Sequence, residues 1–339
     1  MRIAVIGLGM AVTPHAKALL DLADRVKVVH AFSPSPARRA AFAARFGFPV
    51  CDRIETILED ASVDAVMVLT PANTHGEIAR RCAEAGKHVL LEKPLEVSTE
   101  RAEALVAACR AAGVRLGVVL QHRFRPSGQR LAGLLADGTL GAVHGASATI
   151  RLWRPQGYYD EPGRGTMARD GGGVLISQGI HTLDLLLSLA GPVTEVAGFV
   201  TTTPVHRMET EDMVCAALRY AGGALGSIEA TTAAYPGFLE RIDLTCTHGT
   251  ATVAGTALDV RLHDGSTIEL THEGSPGGTG ADPMDFPHDY HRAVLADFVE
   301  AVTEGRDPRV TGEEALRVHR LIDALIACGM TGGPVRVAQ

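Results

Sequence analysis

The residues that most restrict what this chain can fold into stand at its start, where Ile3-Ala-Val-Ile-Gly7-Leu-Gly9 joins a short apolar run directly to glycines. The run has the length of one buried strand. Glycine lets the backbone turn sharply and approach a pyrophosphate, which then rests on the positive end of the following helix. The amphipathic stretch from Pro14 to Leu22 supplies that helix, and Gly7, Gly9, Met10 and Ala11 form the expected phosphate-facing turn. Val12 stands where G-x-G-x-x-G/A calls for its third glycine, which predicts a helix set farther from its strand. Later the chain reads His88-Val-Leu-Leu-Glu92-Lys93-Pro94, placing a lysine at the carboxyl end of another strand.

Up to about residue 122, short β-rich runs alternate with helical segments, the pattern of right-handed βαβ units around a parallel sheet. Strands are expected at Ile3–Ile6, Lys27–Phe32, Ala65–Leu69, His88–Leu91 and Leu116–Leu120, with helices at Pro36–Phe46, Gly76–Ala85 and Ser98–Ala112. Ser98 reads as a helix N-cap. After a helix at Pro126–Ala136 the runs lengthen: Val143–Leu152, Val193–Thr201, Met213–Tyr220, Ala224–Thr232, Phe238–Thr247 and Thr250–Val253. Ala221-Gly-Gly223 and His248-Gly249 carry hairpin-turn chemistry. One helix at Leu175–Ala190 interrupts these strands, Glu273–Pro287 reads as a Gly/Pro-rich loop, and helices at Asp289–Glu304 and Thr311–Cys328 end the pattern. The expected architecture is therefore α/β plus α+β: a doubly wound Rossmann domain over residues 1–122, then residues 123–339 as an open, mostly antiparallel sheet with helices on one face. A length of 339 residues suits two domains at about 100–200 residues each.

A net charge of −7 argues against a nucleic-acid partner. The six cysteines are dispersed without a C-x-x-C pair, which implies a reducing compartment and no metal. No apolar run approaches the ~18 residues that span a bilayer, and the first strand begins too early to leave room for a signal peptide. A cytoplasmic protein with no membrane partner is expected. A sheet with one face left open predicts a homodimer or homotetramer joined through that face.

Taken in order, the motifs resemble the glucose–fructose oxidoreductase/inositol dehydrogenase family, Gfo/Idh/MocA. They are Gly7-x-Gly9 with His15, Thr70-Pro71-Ala-Asn73-Thr-His75, Glu92-Lys93-Pro94, Arg123-Phe124, and Gly171-Gly-Gly-Val-Leu-Ile-Ser177-Gln-Gly-Ile-His181-Thr-Leu-Asp184. The resemblance covers essentially the whole chain and implies an NAD(P)-dependent dehydrogenase or reductase. It places Lys93 beside nicotinamide and substrate hydroxyl, where an ammonium stabilises charge growing on oxygen. His181 becomes the general base, since a neutral imidazole can accept the alcohol proton as hydride leaves carbon. Helical spacing puts Ser177, His181 and Asp184 on one face, with Asp184 orienting the imidazole or contacting substrate. Relatives often carry aspartate at the Ser177 position; here a hydroxyl stands instead. A branch with Gln at the Gln178 position includes nucleotide-sugar dehydrogenases.

Thr70, Pro71, Asn73, His75, Glu92 and Gln121 are expected along the cofactor. Cofactor choice is read after the second strand, where an acid would bind the ribose hydroxyls of NAD. This chain has Ser33-Pro-Ser35 with Arg38 and Arg39 behind it, which leans to NADP over NAD. Arg123 and the run Arg151-Leu-Trp-Arg154-Pro-Gln-Gly-Tyr158-Tyr159, with Arg164 following, offer aromatic faces and guanidinium forks for a sugar or its acidic groups. Gly163 replaces a tryptophan common in relatives. The expected substrate is a polyol or sugar: a secondary alcohol of a sugar, cyclitol, sugar acid or nucleotide sugar. A catalytically silent dinucleotide- or sugar-sensing protein of the same fold is the alternative.

Overall fold

A computed structural model describes residues 1–271 and 287–339. The described chain divides into two compact units, Met1–Gln121 with Pro287–Leu316, and His122–Phe286 with Arg317–Gln339.

Elements are numbered along the chain. The first unit holds a parallel sheet of β1 (Arg2–Ile6), β2 (Lys27–Phe32), β3 (Ala65–Val68), β4 (His88–Leu91) and β5 (Leu116–Val118), in the order β2-β1-β3-β4-β5. Its strands are rich in Val, Ile, Leu and Ala and almost wholly buried, as a sheet covered on both faces requires. The crossovers carry α1 (Val12–Asp21), α2 (Pro36–Phe46), α3 (Glu55–Glu59), α4 (His75–Glu84) and α5 (Thr99–Ala111). Ser35 and Ser98 cap α2 and α5 by accepting the N–H groups of Arg38 and Arg101, and Gly47 closes α2 at a positive φ. The strand order reverses between β1 and β3, so the carboxyl ends of these neighbours flank a crevice of the kind in which open α/β sheets bind ligands.

The compact units do not follow the chain order throughout. Residues 287–316, expected with the second domain, join the first unit because α9 (Asp289–Glu304) packs on α1 and brings Phe298 against Gly117 of β5. A Cβ at Gly117 would lie 2.8 Å from the Phe298 ring, so glycine is what admits that ring.

The second unit is built on nine strands. They are β6 (Val143–Arg151), β7 (Val193–Thr201), β8 (Met213–Tyr220), β9 (Leu225–Thr231), β10 (Arg241–Cys246), β11 (Gly249–Ala254), β12 (Ala257–Leu262), β13 (Thr267–Leu270) and β14 (Val335–Arg336). Their order is β13-β12-β11-β10-β6-β9-β8-β7-β14, antiparallel except for the β6/β9 pair. β12, β13 and β14 extend the sheet beyond the expected six strands, and β10 starts at Arg241 instead of Phe238. In β8 the buried Val214, Ala216, Leu218 and Tyr220 alternate with exposed Cys215, Ala217 and Arg219, the signature of a sheet covered on one face. The cover is α6 (Pro126–Ala136) and α8 (Ile180–Ala190), which contact β10, β11 and β12 and β6. The short α7 (Gln156–Tyr159) follows β6, and α10 (Gly312–Thr331) begins in the first unit and ends in the second.

The expected helix Leu175–Ala190 is not uniform: Leu175–Gly179 forms a π-helical turn that leads into α8. The expected loop at Glu273–Pro287 lies, except for Pro287, outside the described residues. Among the described residues no helix is long and apolar enough to cross a membrane.

Candidate active site

In the first unit the expected cofactor residues gather at the carboxyl edge of the parallel sheet. Gly7 follows β1 with φ +106, and a Cβ there would lie 2.6 Å from the Leu69 carbonyl carbon. Only glycine fits that turn. At Gly9 a Cβ would meet nothing within 4 Å, so the backbone is open to close approach by a phosphate. Ala11, at the N-cap of the ten-residue α1, offers no side-chain cap, and the first turn carries no acid. These N–H groups and the positive helix end fit a pyrophosphate. Val12 is buried, so the missing third glycine is accommodated by packing. Met10 is exposed beside the turn.

Glu92 follows β4 and is held on both oxygens. His15 Nε2 lies 2.7 Å from Oε1, and the Lys93 backbone N–H donates to Oε2 at 3.0 Å. Burial alone would raise this carboxyl's pKa, but the His15 hydrogen bond and nearby positive charge bring it down to about 2. His291, on α9, meets His15 edge to face at 4.9 Å, and burial pushes its imidazole down to about 3. The ligand atoms of His15, Glu92 and His291 lie within 4.8 Å of one another, a set that could hold a metal ion and that the cysteine pattern gave no hint of. Since both Glu92 oxygens already accept hydrogen bonds, the set reads as a buried clamp beneath Lys93. Lys93 itself is half-buried, and its peptide bond to Pro94 is cis.

His75, expected along the cofactor, ties two loops together. Its ring sits between two carbonyl oxygens, Pro94 O at 2.9 Å from Nδ1 and Thr70 O at 2.8 Å from Nε2. Burial lowers its pKa, so the ring is neutral and donates to one carbonyl at a time. It ties the loop after β3 to the turn after Lys93. In the loop itself, the Thr74 hydroxyl donates to Thr70 Oγ1, Pro71 precedes a short 3-10 turn, and the Asn73 carbonyl accepts from Arg101. At the end of β2 the Ser33 hydroxyl is buried and accepts from Ser35 N–H, while Arg39, not Arg38, folds back to donate to the Ser33 carbonyl at 2.6 Å. Arg38 is exposed. Gln121 keeps a buried Oε1 with no hydrogen-bond partner.

In the second unit the triglycine leads into the π turn. Glu211 accepts the N–H groups of Gly173 at 2.9 Å and Leu175 at 3.0 Å, and its carbonyl accepts from Val174. Gly173 passes so close that a Cβ would lie 1.7 Å from the Glu211 carbonyl oxygen. Because a π turn is wider than an α turn, Ser177 and His181 do not keep the α-helical i, i+4 alignment expected of them. His181 is buried on α8, and its ring lies against that of His122 at 5.0 Å.

Arg123 and Asp184, both expected on substrate, hold each other. Arg123 Nε donates to Asp184 Oδ2 at 2.7 Å and Nη2 to Oδ1 at 2.6 Å, a fork buried at the base of α8. The fork gives Asp184 a buried partner that the sequence reading did not name. The remaining substrate candidates do meet: Arg164 lies over the Tyr158 ring at 4.5 Å and Arg154 at 5.8 Å, and Gln178 donates to Tyr158 Oη at 3.3 Å. Tyr159 packs edge-on to Tyr158, but it is buried with its hydroxyl bound to Thr232. It supports Tyr158 from behind.

Two family descriptions match this chain: an oxidoreductase family with an NAD-binding Rossmann fold over residues 1–120, and the GFO/IDH/MocA C-terminal domain over residues 129–252. The chain belongs to the Gfo/Idh/MocA oxidoreductase family. It is 30% identical over 306 residues to D-xylose 1-dehydrogenase (NADP(+)) 2 of Haloferax volcanii, covering 90% of each chain. Against scyllo-inositol 2-dehydrogenase (NAD(+)) of Bacillus subtilis the identity is 30% over 322 residues, 93% of this chain and 90% of the relative. Among solved structures, the WlbA dehydrogenase of Bordetella pertussis in complex with NADH and UDP-GlcNAcA superposes with a TM-score of 0.87 at 27% identity, covering 100% of this chain and 98% of that one.

Several residues of this Gfo/Idh/MocA oxidoreductase were not legible as site residues. Asp212 accepts from Thr203 and faces His206 Nδ1 at 2.7 Å, and His206 Nε2 donates to the Arg154 carbonyl at 2.8 Å. This buried chain fixes the backbone that carries Arg154. Glu211-Asp212 is a carboxylate pair directly before β8, and two acids entering a buried strand were the available signal.

Proposed function

We propose that this protein is an NAD(P)-dependent oxidoreductase that moves hydride between nicotinamide and a secondary alcohol of a sugar, cyclitol, sugar acid or nucleotide sugar. The observation that carries this reading is the carboxyl edge of the first sheet, where the open Gly7–Gly9 turn, the Thr70–Asn73 loop and Glu92-Lys93 end neighbouring strands β1, β3 and β4. When bound, the nicotinamide supplies the hydride acceptor or donor. The chain supplies charge and proton handling. The Lys93 ammonium stabilises the negative charge that grows on the alcohol oxygen. His181 accepts the hydroxyl proton, as a neutral imidazole can. Tyr158, with Arg154 and Arg164 against its ring, offers a stacking face and cationic edge for a sugar bearing acid or phosphate groups.

We place NADP ahead of NAD. No carboxylate stands at the Ser33 position, Ser35 caps α2, and Arg38 and Arg39 lie in its first turn. Like family relatives named for either cofactor, the loop admits both in principle, so the ratio of affinities decides. We also propose that the face of the nine-stranded sheet bearing Phe199, Cys215 and Leu225 joins copies of this chain, since all three are exposed.

The test pairs cofactor titration with a substrate panel. NADPH should bind more tightly than NADH, and Lys93→Ala should bind cofactor normally while losing turnover at least 10²-fold on a polyol, sugar acid or nucleotide sugar. Normal turnover in Lys93→Ala would overturn the catalytic reading, and turnover by none of the panel in the wild type would favour the sensing role.

A further inference from the structure

The connection between β7 and β8 carries a buried pair to which the proposed reaction gives no task. The side chains of His206 and Asp212 are both 0% exposed, with Nδ1 2.7 Å from Oδ2. The same carboxylate accepts the Thr203 N–H on Oδ1 and the Thr203 hydroxyl on Oδ2, each at 2.7 Å. These two further bonds favour its ionised form, so the proton shared with the ring sits on the more basic Nδ1. On the far side of the ring, Nε2 lies 2.8 Å from the Arg154 carbonyl oxygen, which can only accept. A neutral imidazole would satisfy one of these acceptors and set a lone pair against the other. An imidazolium donates to both, and Asp212 supplies the countercharge that burial demands.

Arg154 opens the segment 154–165, which bears Tyr158 and Arg164. The β7–β8 connection grips this segment elsewhere as well: Arg207 N–H donates to Gln156 Oε1 at 2.8 Å, Gln156 Nε2 to the Arg207 carbonyl at 3.2 Å, and the Thr210 hydroxyl to the Gly165 carbonyl at 3.0 Å. Those bonds join neutral groups, and the Gln156 pair is exposed to water. The bond from His206 is buried and charge-assisted, which makes it the strongest of the set. Ring contacts run in the same direction, from His206 to Tyr159 at 4.8 Å and from Tyr159 to Tyr158 at 5.0 Å. We propose that His206, held as an imidazolium by Asp212, is a positioning residue that fixes the substrate wall carrying Tyr158 and Arg164. This rests on the reading of those two residues as substrate contacts. His206 itself touches no substrate, and its effect is on how well the wall fits one.

Two measurements test it. In protein carrying nitrogen-15 in its histidines, proton–nitrogen correlation spectra at the assay pH should show both ring nitrogens of His206 protonated, the signals being assigned by their loss in His206→Gln. A ring with one unprotonated nitrogen overturns the proposal. In steady-state kinetics on the substrate found in the panel, His206→Gln carries no charge and can serve one acceptor at most through its N–H groups. It should raise KM by about tenfold or more, with kcat changed less than about threefold and NADPH binding unaltered. An unchanged KM in a folded variant overturns the proposal. If His206→Gln does not fold, as judged by melting temperature and NADPH binding, the His206 signals are assigned through their contacts with the Tyr159 ring protons, and the charge of the ring decides alone. Lys93→Ala separates this proposal from the catalytic reading. Lost turnover there beside an unchanged KM in His206→Gln refutes the positioning role alone; normal turnover in Lys93→Ala refutes the catalytic reading, and the charge of the ring and the KM of His206→Gln still decide the positioning role.

Discussion

Asp184 is the residue at which the sequence reading and the structure make opposite forecasts. If it oriented substrate or imidazole, Asp184→Asn would raise KM or lower kcat in a protein of normal stability. The structure instead gives its carboxylate two short bonds to Arg123, with the side chains only 1% and 11% exposed. Removing one member of a buried pair leaves the other as an uncompensated charge, which costs about 3–5 kcal/mol. For a unit of this size each kcal/mol moves the melting temperature by about 2–4 °C, so Asp184→Asn and Arg123→Met should each lower it by roughly 6–20 °C. The double variant Arg123→Met/Asp184→Leu replaces both charges by apolar groups, and it should melt above either single variant. A coupling of at least about 2 kcal/mol is expected from the cycle. The assay is thermal unfolding of all four proteins, followed by circular dichroism, with NADPH binding as a control for the first unit. Single variants that melt within 2 °C of wild type, or energies that add, would refute the argument and return Asp184 to the substrate.

The phosphate-facing turn predicts a contrast between its glycines: Gly7→Ala must adopt φ +106 and push on the Leu69 carbonyl, so it should lose both stability and cofactor binding, whereas Gly9→Ala should keep its melting temperature and weaken NADPH at least tenfold by fluorescence titration. Glu92 has a folded pKa brought from 4.5 to about 2, so its contribution, on the order of 3 kcal/mol, is present above pH ~4.5 and is lost as pH falls through about 2; urea unfolding of Glu92→Gln from pH 5 downward should show a flatter pH dependence than wild type. Gly173→Ala drives a methyl into the Glu211 carbonyl and should abolish soluble expression or the near-ultraviolet signature of the second unit. Arg39→Ala should weaken NADPH more than NADH, and an equal loss for both would assign Arg39 to holding the Ser33 backbone alone.

What was legible in the sequence follows the range of the interaction that determines it. α2, α6 and α9 begin and end where the sequence predicts, helped by signals that act within one turn: the Ser35 cap, Pro36 and Gly47 of α2, Pro126 of α6 and Gly305 closing α9. The five parallel strands are legible because burial on both faces forces continuous apolar runs. The attachment of α9 to the first unit has no such local marker: it depends on α9 meeting α1 and on Phe298 finding Gly117, contacts separated by well over a hundred residues. β13 and β14 are short and half exposed, so they lack the apolar density that identified the others.

The site divides along the same line. Gly7 and Gly9 are visible because their role is a property of their own backbone, and Lys93 because it ends a strand. Asp184 and His75 carry equally functional side-chain chemistry, but their partners are a guanidinium 61 residues away and two carbonyl oxygens, and the sequence ranks neither partner above a substrate or a cofactor. A buried polar group takes whatever partner the fold brings within hydrogen-bond reach, because leaving it unpaired costs more than any single contact gains. The π turn at Leu175–Gly179 shows the converse. Glu211 accepts the Gly173 and Leu175 N–H groups, which have no partner within the helix, and so ties the start of the turn that carries Ser177 and His181 to a residue distant in sequence. A substitution of Glu211 should therefore act on the chemistry of His181 without touching it, which motif spacing alone does not anticipate.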